Sequence, residues 1–319
     1  MRVLITGVSG FVGGYLCEHL VAQGDLVVGL SRSGRGPEGV AGIDRDVRFE
    51  RFDLAEGDED ELADLIRRKQ PEAIYHLAAQ SNPQASTKDP RGTWAVNLGG
   101  TLNLLEAAKA SGIKPRILVV GSGVCYGNPP REFAAGVSEA CPLRPNNPYS
   151  SSKAAADLLA VQHHLSDGTD VVIARPFNHA GPRQSSTYVL SALARQVAEF
   201  DAGRRERIEV GNLEVTRDFT DVRDVVRGYR MLIEKGVAGE IYNLGSGRGV
   251  LLRSAVEMLG RFASRPAEIH VDPSRVRPVD QPLLVADASK LRAAVGWEPL
   301  ITIEQTLEDM FAHWRRNLD

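Results

Sequence analysis

Apolar residues fall into short β-branched runs at 2–5, 26–30, 47–52, 73–76, 116–120 and 171–174, separated by longer stretches with helical spacing. Runs this short, set apart by crossover-length segments, predict buried parallel strands rather than the alternating strands of a half-solvated antiparallel sheet. Between them, Leu98, Leu102, Leu105 and Ala108 within 97–110 recur at helical intervals, and 154–164 shows the same period. Residues 1–175 therefore read as an α/β domain, a doubly wound parallel sheet of Rossmann type. Beyond Pro176 the rhythm breaks into polar and glycine-containing stretches, a helix is predicted over 221–229, and Ile241-Tyr242-Asn243-Leu244 reads as one more strand. This predicts that 212–245 completes the sheet, while 176–319 mainly forms a smaller, discontinuous α/β lobe for the substrate.

Composition narrows the partners. With 38 Lys and Arg against 41 Asp and Glu, the net charge of −3 gives no field that would draw the chain to nucleic acid or anionic lipid. Any anionic ligand must be held by a few placed arginines. Cys17, Cys125 and Cys141 are too few for a disulfide framework and lack metal-ligand spacing, which fits a reducing cytoplasm. The apolar N-terminus is interrupted by Thr6, Gly7, Ser9 and Gly10 and followed by Glu18 and His19, so it does not read as a signal peptide. No run of about 18 apolar residues predicts a membrane span.

The first candidate site is Gly7-Val8-Ser9-Gly10-Phe11-Val12-Gly13, directly after the first strand and opening a helix with Phe11, Leu16 and Leu20. Glycines at this spacing allow a tight turn, a close backbone approach to a pyrophosphate, and close helix–strand packing. The free N–H groups of the helix start then face the phosphates. Outside this strand-to-helix context, the same spacing is an ordinary glycine-rich turn. After the second strand, Leu30-Ser31-Arg32-Ser33 lacks the carboxylate that would hold an NAD ribose. Arg32, with Arg35 nearby, suits a 2′-phosphate, so NADP is expected, with NAD the alternative and a solvated loop arginine the plain reading. Asp53 is placed either to meet the adenine edge or to cap the segment after Leu54.

The second site is Asn147-Pro148-Tyr149, a helix start with Asn147 as the cap and Pro148 in the first helical position. Lys153 follows Tyr149 by four residues on the same helix face. An ammonium about 4 Å from a phenol at an effective dielectric near 20 favours the phenolate by roughly 4 kcal/mol before desolvation, which predicts a lowered Tyr149 pKa. Ser122 lies just after the strand 116–120, at the carboxyl end where open α/β sheets bind ligands, and its hydroxyl can hold a carbonyl or alcohol oxygen. A surface helix with an unrelated Tyr and Lys is the plain alternative.

With the glycine motif, His76-Leu77-Ala78-Ala79, Asn97, Ser122, Tyr149 and Lys153 in place, the chain resembles the extended short-chain dehydrogenase/reductase family along nearly its whole length. The resemblance implies proton transfer by Tyr149, a Lys153 that also binds the nicotinamide ribose, and a substrate oriented by Ser122. It implies cofactor contacts at Leu54, Leu77, Ala78, Ala79, Asn97 and Pro176, a nucleotide-sugar substrate with a contact at Ser81, and a homodimer built on the helices 97–110 and 149–164. Phe177-Asn178-His179-Ala180-Gly181-Pro182-Arg183-Gln184 and the stretch 210–224 are most similar to reductases of GDP-4-keto-6-deoxy-hexoses. That similarity assigns Asn178, Arg217 and Arg277 to the diphosphate region, with Arg275 the alternative to Arg277, and Asp280 to a ribose hydroxyl. Where the family's dehydratases carry an acidic pair, this chain has Gly123 and Val124, so no base is evident for abstracting a carbon-bound proton. The expected activity is NADP-dependent reduction of the 4-keto group, with a 4-epimerase using tightly bound NAD as the runner-up. A GDP-mannose 4,6-dehydratase and a catalytically silent nucleotide-binding protein stand further off.

Overall fold

The structure is a computed structural model that describes residues 1–37, 47–275 and 282–318. Seven parallel strands form its central sheet: β1 (Arg2–Thr6), β2 (Leu26–Ser31), β3 (Val47–Arg51), β4 (Ala73–His76), β5 (Arg116–Val120), β6 (Val171–Pro176) and β7 (Ile241–Leu244). Their order is β7-β6-β5-β4-β1-β2-β3, so the winding reverses at β1, as in a doubly wound Rossmann sheet. The α/β class read from the run lengths is the observed one. All four residues of β4 and all six of β6 are buried, which is why these strands read as continuous apolar runs rather than alternating ones.

Helices cover both faces. On one, α1 (Phe11–Ala22) and α5 (Val222–Lys235) close a core around Leu16, Leu20, Val225 and Tyr229. On the other, α2 (Glu59–Lys69), α3 (Gly100–Ala110) and α4 (Pro148–Asp167) pack Leu62, Ile66, Leu104, Leu105 and Ala160 onto the sheet. Segment 97–110 is not a uniform α-helix, because a π-helical turn at Ala95–Gly99 precedes α3. The period over 154–164 and the start read at Asn147-Pro148 belong to one helix, α4, which begins at Pro148 and runs on to Asp167. That read over 221–229 starts at Val222 with Asp221 as its cap and extends to Lys235.

A separate apolar cluster unites the helices Val189–Asp201, Leu252–Gly260 and Ile303–Arg316 with the strands Ile208–Val210 and Thr216–Asp221. Thr216–Asp221 pairs with Gly249–Leu251 antiparallel and with Leu283–Leu284 and Asn178–Ala180 in parallel. Such short strands carry no readable period. The helix Val189–Asp201 does, through Leu190, Leu193, Ala194 and Val197, and it is an element that the reading of strand rhythm passes over. No helix among the described residues is long and apolar enough to cross a membrane.

Candidate active site

A cleft of about 1300 Å³ runs along the carboxyl ends of the sheet strands and on between the sheet and the second cluster. Its dinucleotide end is shaped by missing side chains. Gly7 follows β1 with φ +73°, and a Cβ there would stand 2.7 Å from the Ala78 nitrogen. A Cβ on Gly13 would stand 2.4 Å from the Gly7 carbonyl oxygen, so α1 can close onto the turn only with glycine at that position. Gly10 precedes α1 and places no side-chain cap on its first N–H groups. A cradle that side chains would fill, opposite the first turn of a helix, fits a pyrophosphate.

Behind this turn lies a chain of neutral hydrogen bonds with a fixed direction. The Thr101 hydroxyl donates to the Asn97 carbonyl at 2.6 Å, so it accepts from His76 Nε2 at 2.9 Å. His76 Nδ1 then accepts from the Thr6 hydroxyl at 2.8 Å, whose oxygen accepts the Ala78 N–H at 3.2 Å. Burial, with the nearby Lys153 charge, lowers the His76 pKa to about 3.

Gly7, Gly10, Phe11, Val12, Gly13, Asp53, Leu54, Leu77, Ala78, Ala79 and Pro176 all line the cleft, with Arg32 exposed at its edge. Asp53 does not cap α2; it accepts from Ala55 N at 2.9 Å, and Asp58 caps the helix instead. Asn97 stands behind the cleft, 1% exposed. Its amide bonds both backbone groups of Gln80 at 2.8 and 3.1 Å and donates to Ser152 Oγ at 2.9 Å. Ser152 in turn donates to the Tyr149 carbonyl at 2.9 Å. Asn97 therefore fixes the two cleft walls relative to each other; it does not reach into the space between them.

On the proton-transfer wall, Asn147 accepts from Ser150 N at 2.9 Å, and Ser150 Oγ accepts from Asn147 N at 3.2 Å, a reciprocal cap that sets the start of α4. Tyr149, Lys153 and Ser122 meet at the cleft, with the Tyr149 hydroxyl in hydrogen-bonding reach of Ser122. Lys153 Nζ donates to the Val120 carbonyl at 2.6 Å. The phenol does not behave as the bare Tyr–Lys pairing predicts. Loss of solvation pushes its pKa above the ordinary tyrosine value, and the Ser122 hydrogen bond only partly offsets this. Burial lowers the Lys153 pKa, against the pull of Asp157.

At the far end, Ser81 Oγ lies 2.9 Å from the Tyr188 hydroxyl. Asn178 Nδ2 donates to the Asp218 carbonyl at 3.4 Å, and Arg217 donates to its neighbour Thr216 at 3.0 Å; both side chains belong to residues lining the cleft. Arg277 and Asp280 lie outside the described residues. Arg275, the alternative to Arg277, lines the cleft and pairs with Glu209 at 2.7 Å. Sequence reasoning missed Tyr188, Gln196 and Glu209, which no motif marks. Gln196 bonds both backbone groups of Glu209, at 2.9 and 3.0 Å. A Cβ on Gly123 would stand 2.7 Å from the Phe177 ring, so this backbone has no room there for a carboxylate side chain; Val124 lines the cleft.

Comparisons with known proteins agree with this architecture. Residues 4–310 match the family described as GDP-mannose 4,6 dehydratase. GDP-6-deoxy-D-mannose reductase of Pseudomonas aeruginosa is 38% identical over 98% of this chain and 97% of its own. A UDP-glucose 4-epimerase of Mycolicibacterium smegmatis is 31% identical over 96% of both chains. The solved structure of RMD from Pseudomonas aeruginosa complexed with NADPH superposes with a TM-score of 0.87 at 35% identity, covering 99% of this chain and 100% of that one. The chain belongs to the GDP-mannose 4,6-dehydratase family of short-chain dehydrogenase/reductase enzymes.

Proposed function

We propose that this protein is an NADP-dependent reductase of the 4-keto group of a GDP-4-keto-6-deoxy-hexose, forming GDP-6-deoxy-D-mannose (GDP-D-rhamnose). The observation that carries this is the company of Tyr149: Ser122 is in its hydrogen-bonding reach and Lys153 lines the same cleft one helical turn on, while Gly123 is closed to a side chain by Phe177 and Val124 brings no carboxylate. Reduction needs a proton donor and a polarising hydrogen bond; dehydration needs a base as well.

NADPH supplies the hydride when bound against the glycine turn and the Leu77–Ala79 wall, with Arg32 at the edge for its 2′-phosphate. Ser122 and Tyr149 hold the sugar keto oxygen between their hydroxyls. Tyr149 transfers its proton to that oxygen as the carbon takes the hydride, and the Lys153 ammonium stabilises the phenolate that remains. A phenol held above its ordinary pKa stays protonated at neutral pH, as a proton donor must. In this reading the lobe within 176–319 binds the nucleotide sugar, with Asn178, Arg217 and Arg275 toward the diphosphate.

A homodimer fits the outer surfaces of α3 and α4, where Leu102, Leu158 and Leu165 are 41%, 62% and 78% exposed. The cytoplasm fits three free, buried cysteines. The test is stoichiometric NADPH oxidation on addition of a GDP-4-keto-6-deoxy-hexose. Absence of turnover across such sugars sinks the reading. Co-purified NAD with inversion at C4 and no net cofactor consumption replaces it with the epimerase, a reading that the relatedness to UDP-glucose 4-epimerase keeps in play.

A further inference from the structure

Tyr149, Lys153 and Asp157 recur every four residues on α4 and so share one helix face. The first two belong to the reaction proposed above; the third does not reach the cleft. Its side chain is 0% exposed and is paired with Arg175 of β6, itself 4% exposed, through an Nε–Oδ2 contact of 2.8 Å. Arg175 also donates to the Tyr126 hydroxyl at 2.9 Å, which donates to Asn243 Oδ1 of β7 at 2.7 Å. The other carboxylate oxygen, Oδ1, has no hydrogen-bond partner among the described residues. It lies against Gly121, where a Cβ would stand 2.4 Å from it. Lys153 donates to the carbonyl of Val120, the preceding residue, so ammonium and carboxylate converge on the end of β5 that carries Ser122.

A buried ion pair is poor evidence for a purely stabilising role, because apolar side chains of similar volume commonly hold a helix to a sheet as well or better. What apolar residues cannot provide is a charge facing Lys153: burial raises the Asp157 pKa, and the Arg175 guanidinium opposes this in favour of the carboxylate. We infer that Asp157 is a positioning residue: anchored by Arg175, its carboxylate is the counter-charge that keeps the Lys153 ammonium in place at the end of β5 and governs the pH range over which Tyr149 donates its proton. This rests on the reading of Tyr149 as the proton donor.

The groups facing this trio are Arg175 on β6, itself held by Tyr126, Cys125 after β5, His76 at the end of β4, Ser122, Tyr188 ahead of the helix Val189–Asp201, and Tyr229 on α5. Asp157 acts on both Tyr149 and Lys153, while Arg175 acts on Asp157. Removing the negative charge makes a proton on either Tyr149 or Lys153 easier to lose. The alkaline limb therefore moves to lower pH.

Two variants separate this from a structural role: Asp157→Asn, which leaves Arg175 unpaired, and Asp157→Asn combined with Arg175→Met, which removes the pair together. Two readouts are used: the pH profile of kcat for NADPH oxidation, and the tyrosinate absorbance of Tyr149, taken as the difference between each protein and its Tyr149→Phe counterpart. The single variant should lose Tm and shift the alkaline limb and the tyrosinate midpoint down by about one pH unit. The double variant should regain Tm while keeping the shift. Recovery of the native limb and midpoint along with Tm overturns the inference, as does an unshifted single variant. Should the native enzyme turn over no keto sugar, the proposed function fails, and the tyrosinate midpoint still decides the role of Asp157.

Discussion

The two walls of the cleft are built by different physics. The dinucleotide wall is a steric device: Gly7 and Gly13 open a space by having no side chains, and the groups behind them, Thr6, His76 and Thr101, are neutral and satisfied. The proton-transfer wall is an electrostatic device, with Lys153, Asp157 and Arg175 buried as charges on α4 and β6, against the end of β5. A steric cradle tolerates almost any charge nearby but no added carbon. An electrostatic wall tolerates small changes of shape but no loss of charge or proton. The difference predicts how each fails.

The largest expected effect is on the proton-transfer wall. Tyr149→Phe keeps the ring and removes only the proton, so kcat should fall by about 10²–10⁴-fold while the NADPH dissociation constant stays within about twofold. A fall below about tenfold would assign the proton to another donor and dissolve the contrast. On the dinucleotide wall the expected failure is the reverse. Gly13→Ala adds one methyl against the Gly7 carbonyl and Val8, an overpacking cost of about 1–3 kcal/mol. NADPH affinity, followed by its fluorescence on binding, should drop by roughly tenfold or more, with kcat at saturating cofactor much less affected. Unchanged affinity would show that the turn yields, and that the cradle is not steric.

The same contrast explains what the sequence disclosed. The glycine turn is a local device of seven consecutive residues, and its strand-to-helix setting is written on either side of it, so fold and cradle were legible together. Asn147-Pro148-Tyr149 was legible for a similar reason, since capping chemistry belongs to the residues at the helix start. The electrostatic wall depends on distant segments that only the fold brings together. Asp157 and Arg175 carry no motif and lie 18 residues apart on different elements, so nothing local joins them and neither was legible as part of the site. The direction of the Tyr149 shift was missed because a pairwise Coulomb estimate counts Lys153 and not the water lost around the phenol. At the far end, Glu209 sits in a three-residue strand too short to show a period, and Tyr188 caps its helix without any side-chain capping bond that would mark it.

The smallest effect sharpens the comparison through stability, not catalysis. His76 is the titratable group behind the dinucleotide wall, and its bonds to Thr6 and Thr101 need the neutral ring with the proton on Nε2. Its pKa is about 3 in the folded chain, against about 6.5 for a free histidine. Between these values the unfolded chain binds the extra proton and the folded chain does not, so stability falls as pH drops below 6.5 and levels off only near 3. The expected loss is about 1 kcal/mol between pH 6.5 and 5.5, from this residue alone. Burial also lowers the pKa values of His19, His179 and His313, which add to the same slope. The measurement is urea unfolding at a series of pH values for the native protein and His76→Asn. The variant will be less stable at every pH, because Thr6 and Thr101 lose their bridge, so the level decides nothing. What matters is the slope on the acid side, which should flatten by about one proton. An unchanged slope would mean that the ring accepts its proton while folded, and that the dinucleotide wall, like the opposite one, carries a buried charge.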